Sequence, residues 1–113
     1  MKNKRVLRIP VMETSMKDFK YIDYKFNEGA LIKELHDYID STYNAHYGQG
    51  GLQSSEVIID RGHGLGFFLG NVDKYNARYG KKGDTPEEWR KDLLKVLHYG
   101  LLALYEHDRI NEK

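Results

Sequence analysis

The strongest constraint on this chain is a long helix encoded in residues 84–107. Thr85 or Asp84 supplies a cap, Pro86 fits the first helical position, and Glu87 and Glu88 meet the positive end of the helix dipole. No proline follows before about His107. Leu93, Leu94, Val96, Leu97, Gly100, Leu101, Leu104 and Tyr105 then cover about half of the circumference at 3.6 residues per turn. A surface helix needs an apolar stripe of only roughly 100°. Burial on two sides is therefore predicted: either this helix is the centre of a small bundle, or half of it meets another subunit, with Gly100 allowing a close approach.

The remaining elements read as shorter helices. Asn27 is placed as an N-cap with Glu28 in the first turn, and Leu31, Ile32, Leu35, Tyr38, Ile39 and Tyr43 form one apolar face as far as about Asn44. Three glycines after Tyr47 make a loop, and a short helix runs from Ser54 or Ser55 through Asp60. A third helix is predicted from about Gly66 to Tyr79, with Phe68, Val72, Tyr75 and Tyr79 as its core stripe. Before Asn27, alternation in Arg5–Met12 and the aromatic stretch Phe19–Phe26 predict a short β-hairpin; a rival reading starts a helix at Ser15. The fold class is mainly α: one domain over 1–113, with three to four helices over 27–113 and an extended segment or hairpin over 1–26.

Composition narrows the function classes. Eighteen Lys and Arg against seventeen Asp and Glu leave no global field to draw nucleic acid or an anionic membrane, so nucleic acid is disfavoured and any anion site is local. There is no cysteine, which removes disulfides, thiolate nucleophiles and cysteine-based zinc sites and suits a reducing cytoplasm. No run reaches the length of a membrane helix or a signal peptide, so a soluble protein without a membrane partner is expected.

A cationic stripe carries the best candidate chemistry. Asn71, Lys74 and Arg78 share one face of the third helix, Lys81 and Lys82 follow in the Gly80–Gly83 linker, and Asp92, Lys95 and Tyr99 lie in one arc of the last helix. If the linker makes the two helices antiparallel, these groups converge. Arg and Lys would bind phosphate, while Asp92 would orient them or hold magnesium. The alternative is a solvated face with ordinary helix pairs such as Asp92 with Lys95. Residues 62–70 are glycine-rich and lead into a helix but lack the Lys-Ser/Thr ending of a P-loop, so a flexible connection is the simpler reading. Glu56 and Asp60, four apart on the short helix, are a carboxylate pair for magnesium, a general base, or an ordinary surface pair. His36-Asp37 and His107-Asp108 are similar to the metal-binding dipeptide of helical phosphohydrolases, but the other ligands of that pattern are not evident. Tyr43, Tyr47 and His46 are the candidates for stacking a base.

The set His46-Tyr47, Glu56, Gly70-Asn71 with Lys74-Tyr75, Arg78, Gly80-Lys81-Lys82, then Asp92-Leu93, Lys95 and Tyr99 resembles a family of small tailed-phage proteins described as nucleotide-kinase-like and long classed as a domain of unknown function. The likeness covers about the last two-thirds of the chain, and Arg5–Gly29 looks like the version carried by phages of marine cyanobacteria. It departs from the pattern in lacking a proline near the His-Tyr pair. The resemblance implies a phage protein in the host cell cytoplasm that phosphorylates deoxynucleoside monophosphates from ATP or another nucleoside triphosphate. Lys74, Arg78, Lys81 and Lys82 would contact phosphates, Asp92 or Glu56 would hold Mg2+, and Asn71 and Tyr99 would orient the substrate, with Asp92, Lys74 and Arg78 the catalytic set. A homo-oligomer would supply walls for two nucleotides. The alternatives are a non-catalytic oligomer that holds a nucleotide or phosphorylated metabolite or docks on a host protein, and a structural adaptor.

Overall fold

The computed structural model describes residues 22–45 and 52–112. Among these residues there are four helices and no strand: α1 (Glu28–Ala45), α2 (Leu52–Asp60), α3 (Gly64–Arg78) and α4 (Pro86–Asn111). The mainly α class is thus observed. Of the expected hairpin, residues 5–21 lie outside the described part, and 22–26 carry no strand. The chain divides into two units, Met1–Ala30 and Leu31–Lys113.

In the first unit the described residues form a turn into α1. Asn27 does not take the extended backbone of a capping residue; its φ of 64° is left-handed, which Asn tolerates. The turn is held instead by Glu28, whose carboxylate accepts the Phe26 amide at 3.0 Å.

The second unit is organised by α3 and α4. They are antiparallel, since Arg78 meets Asp92 near the turn while Gly64 faces Glu106 at the far end. The turn follows from local chemistry. Thr85 accepts the Glu88 amide, Glu88 accepts the Asp84 and Thr85 amides at 2.6 and 3.1 Å, and Pro86 opens the helix, so the expected start is observed as a full capping box. Trp89 Nε1 donates to the Gly83 carbonyl at 3.0 Å and ties the helix back onto the turn. Gly83, with φ 94°, cannot be replaced freely, because a Cβ would fall 2.8 Å from Glu88 Cβ.

Several helix boundaries differ from expectation, and α2 opens at Leu52, ahead of Ser54 and Ser55. The third helix opens two residues early, at Gly64, where the Phe67 amide already bonds the His63 carbonyl at 2.9 Å. It ends at Arg78 because Tyr79 turns to an extended backbone (φ −53°, ψ 128°), which carries Tyr79 off the stripe and leaves it exposed, not in the core. The last helix runs on to Asn111, whose side-chain Nδ2 donates to the His107 carbonyl one turn back at 2.9 Å.

The core between α3 and α4 is small. Phe68, 1% exposed, is its largest apolar member, joined by Ala103. Val72 and Tyr75 are half-buried. Glu106 is as buried as Phe68 and is held by Arg109 through bonds of 2.7 and 3.0 Å. Helix α2 leans on the start of α3. Helix α1 reaches α4 through side chains: Glu34 pairs with Arg90, and Tyr38 meets His98 edge to face at 5.8 Å between ring centroids. The side of α4 carrying Leu93, Leu97, Leu101 and Leu104 remains exposed.

Candidate phosphate site

The cationic stripe converges as the antiparallel pairing requires. Across the turn, Arg78 grips Asp92 with two nitrogens: Nη2 donates to Oδ1 at 2.8 Å, and Nε donates to Oδ1 at 3.2 Å and more weakly to Oδ2 at 3.4 Å. Asp92 is 3% exposed. A carboxylate that deeply placed needs a charge partner, and the fork geometry of Arg supplies one. The Arg78 bonds hold the Asp92 carboxyl below the usual carboxylate range against the opposing effect of burial, with smaller contributions from the charges of Lys95 and Lys82. Conversely Asp92 raises the Arg78 pKa.

Above this pair stands an aromatic floor. Tyr75 and Tyr99 stack nearly parallel, 10° apart with centroids at 5.8 Å. Three cations gather at the Tyr75 ring: Arg78 Cζ at 4.6 Å, Lys74 Nζ at 5.1 Å and Lys95 Nζ at 5.7 Å from the centroid. These are cation–π distances, so the ring face offsets part of the repulsion among the cations. Phe67 and Phe68 back Tyr99 at 6.4 and 6.3 Å, and His98 stacks on it at 6.1 Å. Burial lowers the His98 pKa.

The expected residues therefore separate into two groups. Lys74, Arg78, Asp92, Lys95 and Tyr99 come together, and Lys82 in the exposed turn is near enough for its charge to act on Asp92. Lys81 is exposed in the same turn. Asn71 is half-buried and turns its amide back to the Phe67 carbonyl at 2.9 Å, a bond within its own helix. Glu56 is exposed on α2, and among the described residues no hydrogen bond or ion pair links it to the cluster. His46 and Tyr47 lie outside the described residues. Magnesium at Asp92 would have to compete with Arg78, toward which both carboxylate oxygens are turned.

Tyr75 belongs to the site as well as to the core stripe in which its spacing placed it. Its signal was the flanking Lys74 and the Arg78 one turn on, both of which can reach back over the ring. On α1, His36, Asp37 and Asp40 bring ligand-type atoms within 4.8 Å of one another on an exposed surface.

Residues 41–100 match the family described as a protein of unknown function, DUF3310. This stretch is more than half of the chain and takes in α3, the turn and the first part of α4. The chain belongs to the DUF3310 family. No curated protein and no solved structure matches it. The DUF3310 match ends at Gly100, one residue past Tyr99, so the whole Tyr75-centred cluster lies inside it. No helix among the described residues is long and apolar enough to cross a membrane.

Proposed function

We propose that this DUF3310 protein binds the phosphates of a nucleotide at the α3–α4 turn. The observation that carries the reading is the gathering of Lys74, Arg78 and Lys95 at the Tyr75 ring beside a single buried carboxylate. Arg78 is fixed by Asp92, whereas among the described residues no carboxylate lies within ion-pair distance of Lys74, Lys82 or Lys95. Their ammonium groups are left to meet an anion. Asp92 acts as a positioning residue that aims Arg78, and Tyr75 with Tyr99 gives a flat surface against which a sugar or base can lie.

In this reading the protein works in the cytoplasm of a phage-infected host cell, as the resemblance to nucleotide-kinase-like phage proteins suggests. A nucleoside monophosphate kinase would use the cluster for charge neutralisation and alignment, with Mg2+ carried in by ATP or another triphosphate donor. Engagement of both Asp92 oxygens by Arg78 favours the second reading, a non-catalytic oligomer that holds a nucleotide or phosphorylated metabolite. Homo-oligomerisation fits both, because Leu93, Leu97, Leu101 and Leu104 leave an apolar side of α4 exposed.

A thermal-shift panel of nucleoside mono-, di- and triphosphates with and without magnesium tests the proposal. A ligand at a hundred times its Kd adds about 2.7 kcal/mol of stability. Shifts lost in Lys74→Ala and Lys95→Ala support the site. Phosphoryl transfer between a triphosphate and a monophosphate, abolished in Asp92→Asn, separates a kinase from a binder, in which Asp92→Asn only weakens binding. No shift with any nucleotide refutes the proposal.

A further inference from the structure

On α4 the side opposite α3 is a leucine ridge with opposite charges at its ends. Leu93, Leu97, Leu101 and Leu104 fall within an arc of about 80° at 3.6 residues per turn, and Arg90 and Asp108 fall in the same arc, one turn or so beyond either end. All four leucines are at least 40% exposed, with Leu97 at 51%. The buried residues of this helix, Asp92, His98, Ala103 and Glu106, lie on the other side. Helix α1 reaches the first end of the ridge, where the Glu34 carboxylate accepts from both terminal nitrogens of Arg90, and meets α4 again at His98, off the ridge. A Cβ at Gly100 would meet open space, so this position is a notch along the ridge edge.

The order of charges selects the occupant. When a second α4 is laid antiparallel on the first about a two-fold axis at residue 99, Leu97 comes level with the partner's Leu101. The same register brings Arg90 level with the partner's Asp108, and by symmetry Asp108 level with the partner's Arg90. One register thus satisfies both the apolar and the charged ends, as an isologous contact requires. A parallel pairing would set Arg90 against the partner's Arg90 and Asp108 against the partner's Asp108.

We infer that two copies of this chain pair through antiparallel α4 helices, with the leucine ridge as the contact and reciprocal Arg90–Asp108 ion pairs fixing the register. The inference rests on the oligomer proposed above and specifies its interface. The nucleotide cluster sits on the α3 side of α4, so pairing leaves it accessible.

Sedimentation analysis of the full chain tests this with two charge reversals. Asp108→Arg and Arg90→Glu are each expected to weaken dimerisation by about tenfold, since each replaces two attractive pairs by two repulsive ones. An equimolar mixture of the two variants should regain wild-type dimerisation, because both pairs are then again of opposite charge. Glu34→Gln, which removes the intrachain partner of Arg90, should leave the dimer unchanged, and circular dichroism should show every variant as helical as the wild type. A wild-type oligomer indifferent to either reversal, or weakened by both without rescue on mixing, overturns the register while leaving the broader oligomer reading in place. A wild type that stays monomeric at about 100 μM, with the ridge covered by the chain's own residues 1–21 or by another protein, overturns both.

Discussion

Replacing Gly64 by Ala should destabilise the protein, although the same change in a helix ordinarily stabilises it. Gly to Ala inside a helix gains about 0.8–1 kcal/mol from propensity. At Gly64, however, the new Cβ would stand 2.6 Å from Glu106 Oε1, 3.0 Å from its Cδ and 3.1 Å from Ile59 Cγ1. Glu106 cannot swing away freely, being 1% exposed and held by Arg109. Overpacking of this kind costs roughly 1–3 kcal/mol, and the propensity gain is small at the first helical position, so a net loss of about 1–2 kcal/mol is expected. Each kcal/mol moves the melting temperature of a domain this size by about 4–8 °C, so Gly64→Ala should melt roughly 5–15 °C below the wild type. Gly66 and Gly70 lie in the same helix and a Cβ at either would meet open space. Gly66→Ala and Gly70→Ala should therefore raise the melting temperature by a few degrees, about 0.5–1 kcal/mol each. Thermal unfolding followed by circular dichroism measures all three. If Gly64→Ala stabilises like the other two, Glu106 does not pack against the start of α3 and the assigned α3–α4 register is wrong.

Phe68→Ala should cost about 3–5 kcal/mol in denaturant unfolding, because it removes the largest apolar side chain of a small core. Thr85→Ala, which takes away the cap of α4, should cost about 1 kcal/mol in the same assay. Acidification should reduce stability in two windows. His98 binds its proton less readily when folded than at the usual 6.5, so stability falls as the pH drops below 6.5, and His98→Gln should remove that phase. Asp92 has a folded pKa below 3.8, so its contribution persists above 3.8 and is lost as the pH falls through the folded value; Asp92→Asn should flatten that lower phase of a melting-temperature profile against pH.

The start of α4 was legible because everything that makes it is local: cap, proline and acidic first turn lie within four residues. The meeting of Arg78 with Asp92 was legible for a similar reason, since a short glycine turn between two helices leaves few ways to pair them. Glu106 was not. Its burial against Gly64 depends on two helices far apart in sequence, and nothing near residue 106 announces a carboxylate in the core. The wide apolar face of α4 predicted burial on two sides, but α3 packs on the opposite side of the helix, that of Asp92, His98, Ala103 and Glu106, and leaves Leu93, Leu97, Leu101, Leu104 and Tyr105 exposed, because periodicity does not say which face a neighbour covers. Tyr75 shows a different limit. Helical spacing assigned it to the core, and half of that holds, but its place beneath three cations depends on Lys95 arriving from the other helix. Asn27 failed as a cap because a rule based on residue type does not see the left-handed turn that precedes α1.

In the proposed function Lys74 and Lys95, with Arg78 aimed by Asp92, form a phosphate site over Tyr75. Calorimetric titration of a nucleoside triphosphate into the wild type and into Lys74→Ala/Lys95→Ala tests it most directly, with Lys33→Ala, an exposed lysine on α1 paired with Asp37, as the control. The claim predicts saturable binding that weakens at least about tenfold in the double variant, is unaffected in the control, and fades with added salt. Equal binding by all three proteins would contradict it.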